Sequence, residues 1–475
     1  MAEMKDSGIE WIGDIPQNWK LKRIQFCLDE INEKNIPIKT EQVLSLVKDK
    51  GVMLYEDKGN QGNKAKEDVS QYKIAYPNTL IVNSMNILIG SVGISNYLGC
   101  VSPVYYVFKE NEDSDLRYIN YIFNTREFQK ELRKYANGIL EIRLRVSSSD
   151  IFKRKIPFPD KHIQTKIANF LDKKCAEIDA LHTDIEKQIE TLEEYKKSII
   201  TEAVTKGLIN ININGTQVDF TNTTDEQWEC KKLKLLVAMP IIDGPHESPE
   251  LCDTGIPYIS ATAIVDGKID FNLMRGYISE EYCTECEKRY KPQLNDILVV
   301  KLGAGTGQVA MVDDNRKFNI WVPLAAVRCN ELVIPKFIYY GFQSDYVVTQ
   351  MEQSWTYGTQ ETLGVKTIEK LKFFIPTLNT QRKIIQYLDN KCVNIDGAIE
   401  EKKEQLDTLE QYKKSLIYEY ATDMYPKFWT HIYKLGGHHG CFSVFYRRHP
   451  FCFCLNPFVI IVINILIYSN CKFFK

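Results

Sequence analysis

Residues 165–205 read TKIANFLDKKCAEIDALHTDIEKQIETLEEYKKSIITEAVT, and residues 382–422 read RKIIQYLDNKCVNIDGAIEEKKEQLDTLEQYKKSLIYEYAT. The second stretch repeats the first at a spacing of 217 residues, without a gap. Leu171, Asp172, Lys174, Cys175, Ile178 and Asp179 fall on Leu388, Asp389, Lys391, Cys392, Ile395 and Asp396, and Gln164 falls on Gln381. Thr191-Leu192-Glu193 and Tyr195-Lys196-Lys197-Ser198 fall on Thr408-Leu409-Glu410 and Tyr412-Lys413-Lys414-Ser415. An internal repeat of this kind decides the architecture before any local reading does.

Each copy reads as one long helix. Between Pro159 and Gly207 there is neither Pro nor Gly, and Lys, Glu, Ile, Leu and Ala dominate. Leu171, Ile178, Ile185, Leu192 and Ile199 recur every seven residues, with Leu181 and Tyr195 half a heptad away, which is the pattern of a coiled-coil seam. At 1.5 Å per residue such a helix runs roughly 60 Å. The second copy keeps Leu388, Ile395, Leu409 and Leu416 on the seam. It places Lys402 where the first copy has Ile185, and Gly397 weakens the helix nearby. A repeat so widely spaced is not a solenoid. Two matching helices in one chain are expected to pack on each other and to space two other domains.

Those domains are legible as a second, looser repeat. After a lead-in at residues 1–19, residues 20–160 hold short β-like runs such as QVLSLV and TLIVN, then a helical stretch beginning DLRYINYIF. Residues 228–376 follow the same plan: NDILVVKLGAGTGQVAMVDD echoes NTLIVNSMNILIGSVGISN, and VIPKFIYYGFQSDYVVTQME echoes the helix after Asp115. The similarity is of pattern far more than of identity. The expected order is lead-in 1–19, block 20–160, helix 161–207, a polar linker 208–227, block 228–376, helix 377–424, and a tail 425–475. Two blocks sharing a plan but not a sequence are what readers of two different targets would look like.

Composition sets wide bounds. With 475 residues, 44% hydrophobic and 26% charged, the chain is ordinary for a protein of two or three domains. A net charge of −2 provides no global basic field, but a local patch can bind nucleic acid while an acidic coil cancels it. Thirteen cysteines without a signal-like start suggest a reducing cytoplasm. The tail from Tyr425 holds no Asp or Glu and a run FVIIVINILIY that is short for a membrane span. Its abrupt change of composition suggests rearranged or out-of-frame coding sequence.

Several motifs point to chemistry and fail on inspection. Gly303, Gly305 and Gly307 follow an apolar run, but Gln308 stands where a dinucleotide fingerprint needs Gly and a second strand follows. The expectation is a hairpin turn. Cys283 and Cys286 have zinc-like spacing without a second pair, unless Cys252 and His246 supply it. No Asn-Pro-Pro-aromatic motif and no Gly-Lys-Ser/Thr phosphate loop occurs. Basic clusters carry more. Arg133, Lys134, Arg143, Arg145, Lys153, Arg154 and Lys155 crowd the end of the first block. Lys288, Arg289, Lys291, Lys301, Arg316 and Lys317 lie in the second. Lys and Arg on phosphates supply affinity, and Arg on base edges supplies specificity. His246, in Asp243-Gly244-Pro245-His246, is the leading loop candidate, against plain turn chemistry.

The chain resembles the specificity subunits of Type I restriction-modification systems. The residues that carry the resemblance are DSGIEWIGDIPQNW, the paired tracts IPFPDKHIQTKIANFLD and IPTLNTQRKIIQYLD, the paired LEEYKKSIITEAVTKG and LEQYKKSLIYEYAT, and IIDGPHESP with GIPYISATAIVDGKIDF. The resemblance covers about residues 4–424. It implies an α+β fold, with two mixed α/β target-recognition domains separated by two long helices forming an antiparallel coiled coil. Each domain would read half of a split double-stranded DNA target, and the coil would be a ruler for the gap between half-sites about one helical turn apart. The coil residues Leu171, Ile178, Ile185, Leu192, Tyr195, Leu388, Ile395, Leu409 and Tyr412 would serve the seam and the partner contacts. The implied partners are two methyltransferase subunits and restriction/translocase subunits, which use S-adenosylmethionine, ATP and Mg. This chain would hold no cofactor or metal, catalyse nothing, and need no membrane. The rival reading is a coiled-coil adaptor that binds no DNA.

Overall fold

The computed structural model describes residues 3–48, 50–59, 68–138, 144–207, 211–213, 216–218, 228–303, 305–354, 356–357 and 361–422. Arg143 and the tail 425–475 lie outside the described residues. The chain divides into two units, Met1–Asp184 with Glu404–Lys475, and Ile185–Lys403.

In the first unit the sheet is antiparallel, in the order Leu28–Glu30, Tyr105–Glu110, Thr79–Asn83, Val92–Ser95. Thr79–Asn83 is buried at every position, and its apolar centre, Leu80-Ile81-Val82, is continuous rather than alternating. Helices α1 (Leu116–Phe123) and α2 (Arg126–Arg133) follow, capped by Asp115 and Thr125 through bonds to Arg117 N and Phe128 N. After α3 (Ser148–Lys153), strand Lys155–Phe158 pairs with Lys20–Arg23 and leads into α4 (Lys161–Lys206). The lead-in forms a small hairpin, Met4–Asp6 against Asp14–Pro16, and buries Trp11, Ile12, Ile15 and Trp19.

The second unit repeats this plan. Its sheet runs Ile242–Asp243, Leu324–Val327, Ile297–Val300, Val309–Met311, again antiparallel, and Glu229–Lys232 pairs with Lys372–Ile375. The glycine-rich segment joins Ile297–Val300 to Val309–Met311 as a hairpin, in agreement with the turn reading. The second unit adds a three-stranded sheet, Gly276–Ile278, Ile256–Ile259, Asn319–Ile320, covered by α5 (Glu280–Glu287). Helices α6 (Pro335–Gln343), α7 (Asp345–Glu352) and α8 (Val365–Ile368) precede α9 (Leu378–Thr422). The expected linker 208–227 contains a short hairpin, Ile211–Ile213 against Thr216–Val218.

Both long helices contribute a segment to each unit, and in each unit the two segments run antiparallel. In the first, Lys413 Nζ meets Asp179 Oδ1 at 2.6 Å and Phe170 stacks on Tyr420 at 4.4 Å. In the second, the equivalent pair, Lys196 Nζ and Asp396 Oδ1, also lies at 2.6 Å. Leu171, Ile178, Leu388, Ile395 and Leu409 are buried as the heptads require, while Ile185 and Leu192 are half-buried. Lys402 reaches Gln188 Oε1 at 2.5 Å, so the irregular position is polar rather than packed. Tyr195 and Tyr412 depart from the expected seam, being 50% and 38% exposed. The register of the two ion pairs explains this, because it sets Gly397 level with Tyr195 and Ala180 level with Tyr412. Neither small residue has the bulk to cover a tyrosine.

The same contacts fasten block to helix in both units. Gln164 is fully buried; its Oε1 accepts from Asp115 N at 2.9 Å, and its Nε2 donates to Pro159 O at 2.8 Å. Gln381 is fully buried likewise, accepting from Ile334 N at 2.8 Å and donating to Pro376 O at 2.9 Å. Two turns on, Tyr121 OH donates to Asp172 Oδ1 and Tyr340 OH to Asp389 Oδ1, both at 2.7 Å. Arg117 and Lys336 bond the second oxygen of each aspartate at 2.9 and 2.8 Å. A buried amide bonded at both ends is costly to disturb, so it fixes the angle at which each block meets its helix.

Candidate nucleic-acid interface

The second unit gathers basic side chains on a single carboxylate. Strand Ile242–Asp243 ends at Asp243, and the chain turns through Gly244-Pro245-His246. Gly244 is required there by close approach, since a Cβ would lie 2.3 Å from the Trp321 carbonyl carbon. Lys301 leaves the end of Ile297–Val300, and its Nζ donates to Asp243 Oδ2 at 2.7 Å. Arg289, just beyond α5, donates from Nη2 to Asp243 Oδ1 at 2.6 Å. His246 Nε2 lies 3.3 Å from Asp243 Oδ2.

Electrostatics follow from burial. The Lys301 and Asp243 side chains are 11% and 13% exposed, while those of Arg289 and His246 are 52% and 71% exposed. Burial pushes the Asp243 carboxyl up, but the Lys301 ammonium, helped by Arg289 and His246, outweighs it and holds the acid below the ordinary carboxylate value. One carboxylate facing two permanent cations leaves a net positive edge. Its outer members face solvent with their side chains already oriented, which suits contact with phosphate oxygens.

Sequence reasoning named Lys301, His246 and Arg289, and the structure brings these three together. It missed Asp243 as their centre, because a search for basic clusters passes over the acid that organises one. The other candidates stand apart. Arg316 packs over Phe271 at 4.1 Å and pairs with Asp314, and Lys317 pairs with Glu280. Lys288 and Lys291 pair within their own turn with Glu285 and Glu287. In the first unit Lys134 is exposed beside Glu131 and Glu10. Arg133 is exposed in the last turn of α2, and Arg145 is exposed where its backbone bridges Asn137. Arg154 is engaged internally: it stacks on Tyr135 at 3.5 Å, donates to Asp150 O and lies near Glu131.

Two other features are poor candidates for DNA. A cleft of about 1430 Å³ in the second unit has a lining of mixed sign, with Lys196, Lys268 and Lys336 beside Glu193, Asp389 and Asp396. Cys283 and Cys286 are both buried on α5, Cys283 in an apolar cluster, and no metal-binding group of His, Cys, Asp or Glu occurs among the described residues. Also among the described residues, no helix is long and apolar enough to cross a membrane.

Comparisons with known proteins agree with this architecture. A solved structure, described as the basis of complex assembly and conformational transition of the type I R-M system, superposes with a TM-score of 0.62. That likeness, at 13% identity over 86% of this chain and 98% of the other, is one of fold. The EcoBI specificity subunit of a Type I restriction enzyme from Escherichia coli is 23% identical over 62% of this chain and 64% of its own length. That alignment thus spans just under two thirds of the relative. The putative MjaX specificity subunit of Methanocaldococcus jannaschii is 24% identical over 86% of this chain and 93% of its own. The family described as Type I restriction modification DNA specificity domain matches residues 16–191 and again 226–411, which is most of the chain. The chain belongs to that family.

Proposed function

We propose that this chain is the sequence-specific DNA-binding specificity subunit of a Type I restriction-modification complex. Each unit reads one half of a bipartite target. The chain directs adenine methylation or cleavage carried out by two methyltransferase subunits and by restriction/translocase subunits, and performs no catalysis itself. S-adenosylmethionine, ATP and Mg belong to those partners, and the complex works in the cytoplasm.

The observation that carries this reading is the doubled plan. Two four-stranded sheets of the same strand order are fastened by the same buried glutamine to two matching helices. The fastenings are repeated almost atom for atom, whereas the blocks diverge in sequence. That is the expected outcome when partner contacts are common and targets differ. The oriented cations on Asp243 supply the phosphate contacts in the second unit.

The test is an exchange of residues 228–376 for the corresponding block of another family member, followed by mapping of methylated adenines. One half of the target changes and the other is kept. A target altered in both halves, or in neither, would sink the assignment of one half-site to each unit.

A further inference from the structure

Arg275 differs from the other bases of the second unit in its surroundings. Its guanidinium lies flat on the Trp321 ring, with Cζ 3.2 Å from the ring centroid. It has no carboxylate partner among the described residues; Nη2 points to Ser248 Oγ at 3.5 Å, and Nη1 is buried with no acceptor. Trp321 Nε1, in the same cluster, is also buried without an acceptor, and the buried Tyr258 and Tyr282 hydroxyls have at most each other and Cys286. Tyr258 and Tyr282 pack edge to face at 6.2 Å, and Arg275 N donates to Tyr258 O. The loop that carries Ser248 is the one that carries Asp243 and His246, and Gly244 lets it lie directly on Trp321.

This arrangement is expensive as it stands. A half-buried cation with no carboxylate partner, beside an indole N–H without an acceptor, is costly to keep. The stack also limits the guanidinium to one plane. A cation that merely neutralises phosphate gains little from that restriction, whereas a planar fork meeting a base edge depends on it.

We infer that Arg275, held on Trp321, is a specificity-determining residue that donates, through the part of its guanidinium that is not buried, to acceptors on a base edge in the half-site read by the second unit. Guanine is the base that offers two acceptors side by side in the major groove. The inference rests on the proposed reading of the chain as a DNA-recognition subunit, and makes one position of the target answerable to one side chain.

The test uses the full chain assembled with its modification subunits, in wild type and as Arg275→Lys, which keeps the charge and loses the fork. Methylated adenines are mapped, and binding to target, single-base variants and unrelated DNA is measured across salt concentrations. The expected result is relaxed recognition at one position of one half-site, with discrimination there reduced roughly tenfold to a hundredfold. Binding to unrelated DNA and the salt slope stay as in wild type. Uniformly weaker binding with a salt slope smaller by about one would assign Arg275 to a phosphate and overturn the inference. An unchanged motif with unchanged discrimination would overturn it too. Trp321→Phe, which keeps an aromatic face, should show the same relaxation at the same position in weaker form; relaxation at other positions would show a general disturbance instead. If the wild-type complex methylates no split motif, the reading of the whole chain fails and the inference with it. A wild-type motif that Arg275→Lys leaves intact refutes the inference alone.

Discussion

Replacing Gln164 with leucine should loosen the first block from its helix by an amount the structure sets. The side chain is fully buried and makes three hydrogen bonds: from Asp115 N at 2.9 Å, to Pro159 O at 2.8 Å and to Asp113 O at 3.2 Å. Leucine fills a similar volume and makes none. The Asp113 carbonyl is only part-buried and can turn to water, so the penalty falls on the other two backbone groups. An unpaired buried donor or acceptor costs ~1–3 kcal/mol, which gives about 3 kcal/mol for the pair. That corresponds to a shift of roughly a hundredfold in an opening equilibrium. Hydrogen exchange followed by mass spectrometry should show faster exchange across Leu116–Phe123, the helix whose start Gln164 holds, and urea unfolding should begin earlier. Gln381→Leu should do the same to Pro335–Gln343. A loss below ~1 kcal/mol with unchanged protection of Leu116–Phe123 would refute the claim that the glutamine is the fastening.

Three further outcomes follow from particular side chains. Leu171→Asp places a carboxylate where the leucine is fully buried, which should cost more than ~4 kcal/mol and abolish co-purification with a methyltransferase subunit; a variant that still co-purified would show that the seam does not support assembly. Asp243→Asn should lower the urea midpoint at pH 7 by about 2 kcal/mol equivalent, since it removes charge-assisted bonds to Lys301 and Arg289. Because the folded carboxyl titrates below its ordinary value of ~3.9, its contribution is complete above that pH and fades as pH falls through the folded value. The gap between wild type and variant should therefore narrow towards pH 3, and a gap that stayed constant would contradict the ion-pair account. Gly397→Ala adds a methyl with nothing within 4 Å inside a continuous helix, so thermal unfolding should shift upwards by about 0.5–1 kcal/mol equivalent; destabilisation would mean that position is under a constraint its open surroundings do not reveal.

What could be read in advance depended on periodicity. Heptads located both long helices, and short apolar runs cut by Gly and Asn located the sheet strands, because burial writes itself into sequence at fixed intervals. Features made by partners distant in sequence were not legible. Asp243 gathers Lys301 and Arg289 from positions 58 and 46 residues away. Gln164 and Gln381 were visible as matched letters, but their bonds to Asp115 and Ile334 belong to tertiary structure. Tyr195 fits the heptads and is nonetheless exposed, because seam burial depends on what the opposing helix offers at that level, which is Gly397. The hairpin between Ile211 and Val218 had a signal, Asn214-Gly215 between alternating isoleucines and Thr-Gln-Val, hidden by the polar composition around it. The stack of Arg275 on Trp321 had none.

On the proposed function, this chain selects DNA sites for partner subunits. The most direct measurement is a genome-wide map of methylated adenine in cells with and without this gene. A split motif, two short halves around a fixed gap, should be methylated when the gene is present and unmethylated when it is deleted. The same methylation pattern in both, with the partner subunits present, would contradict it.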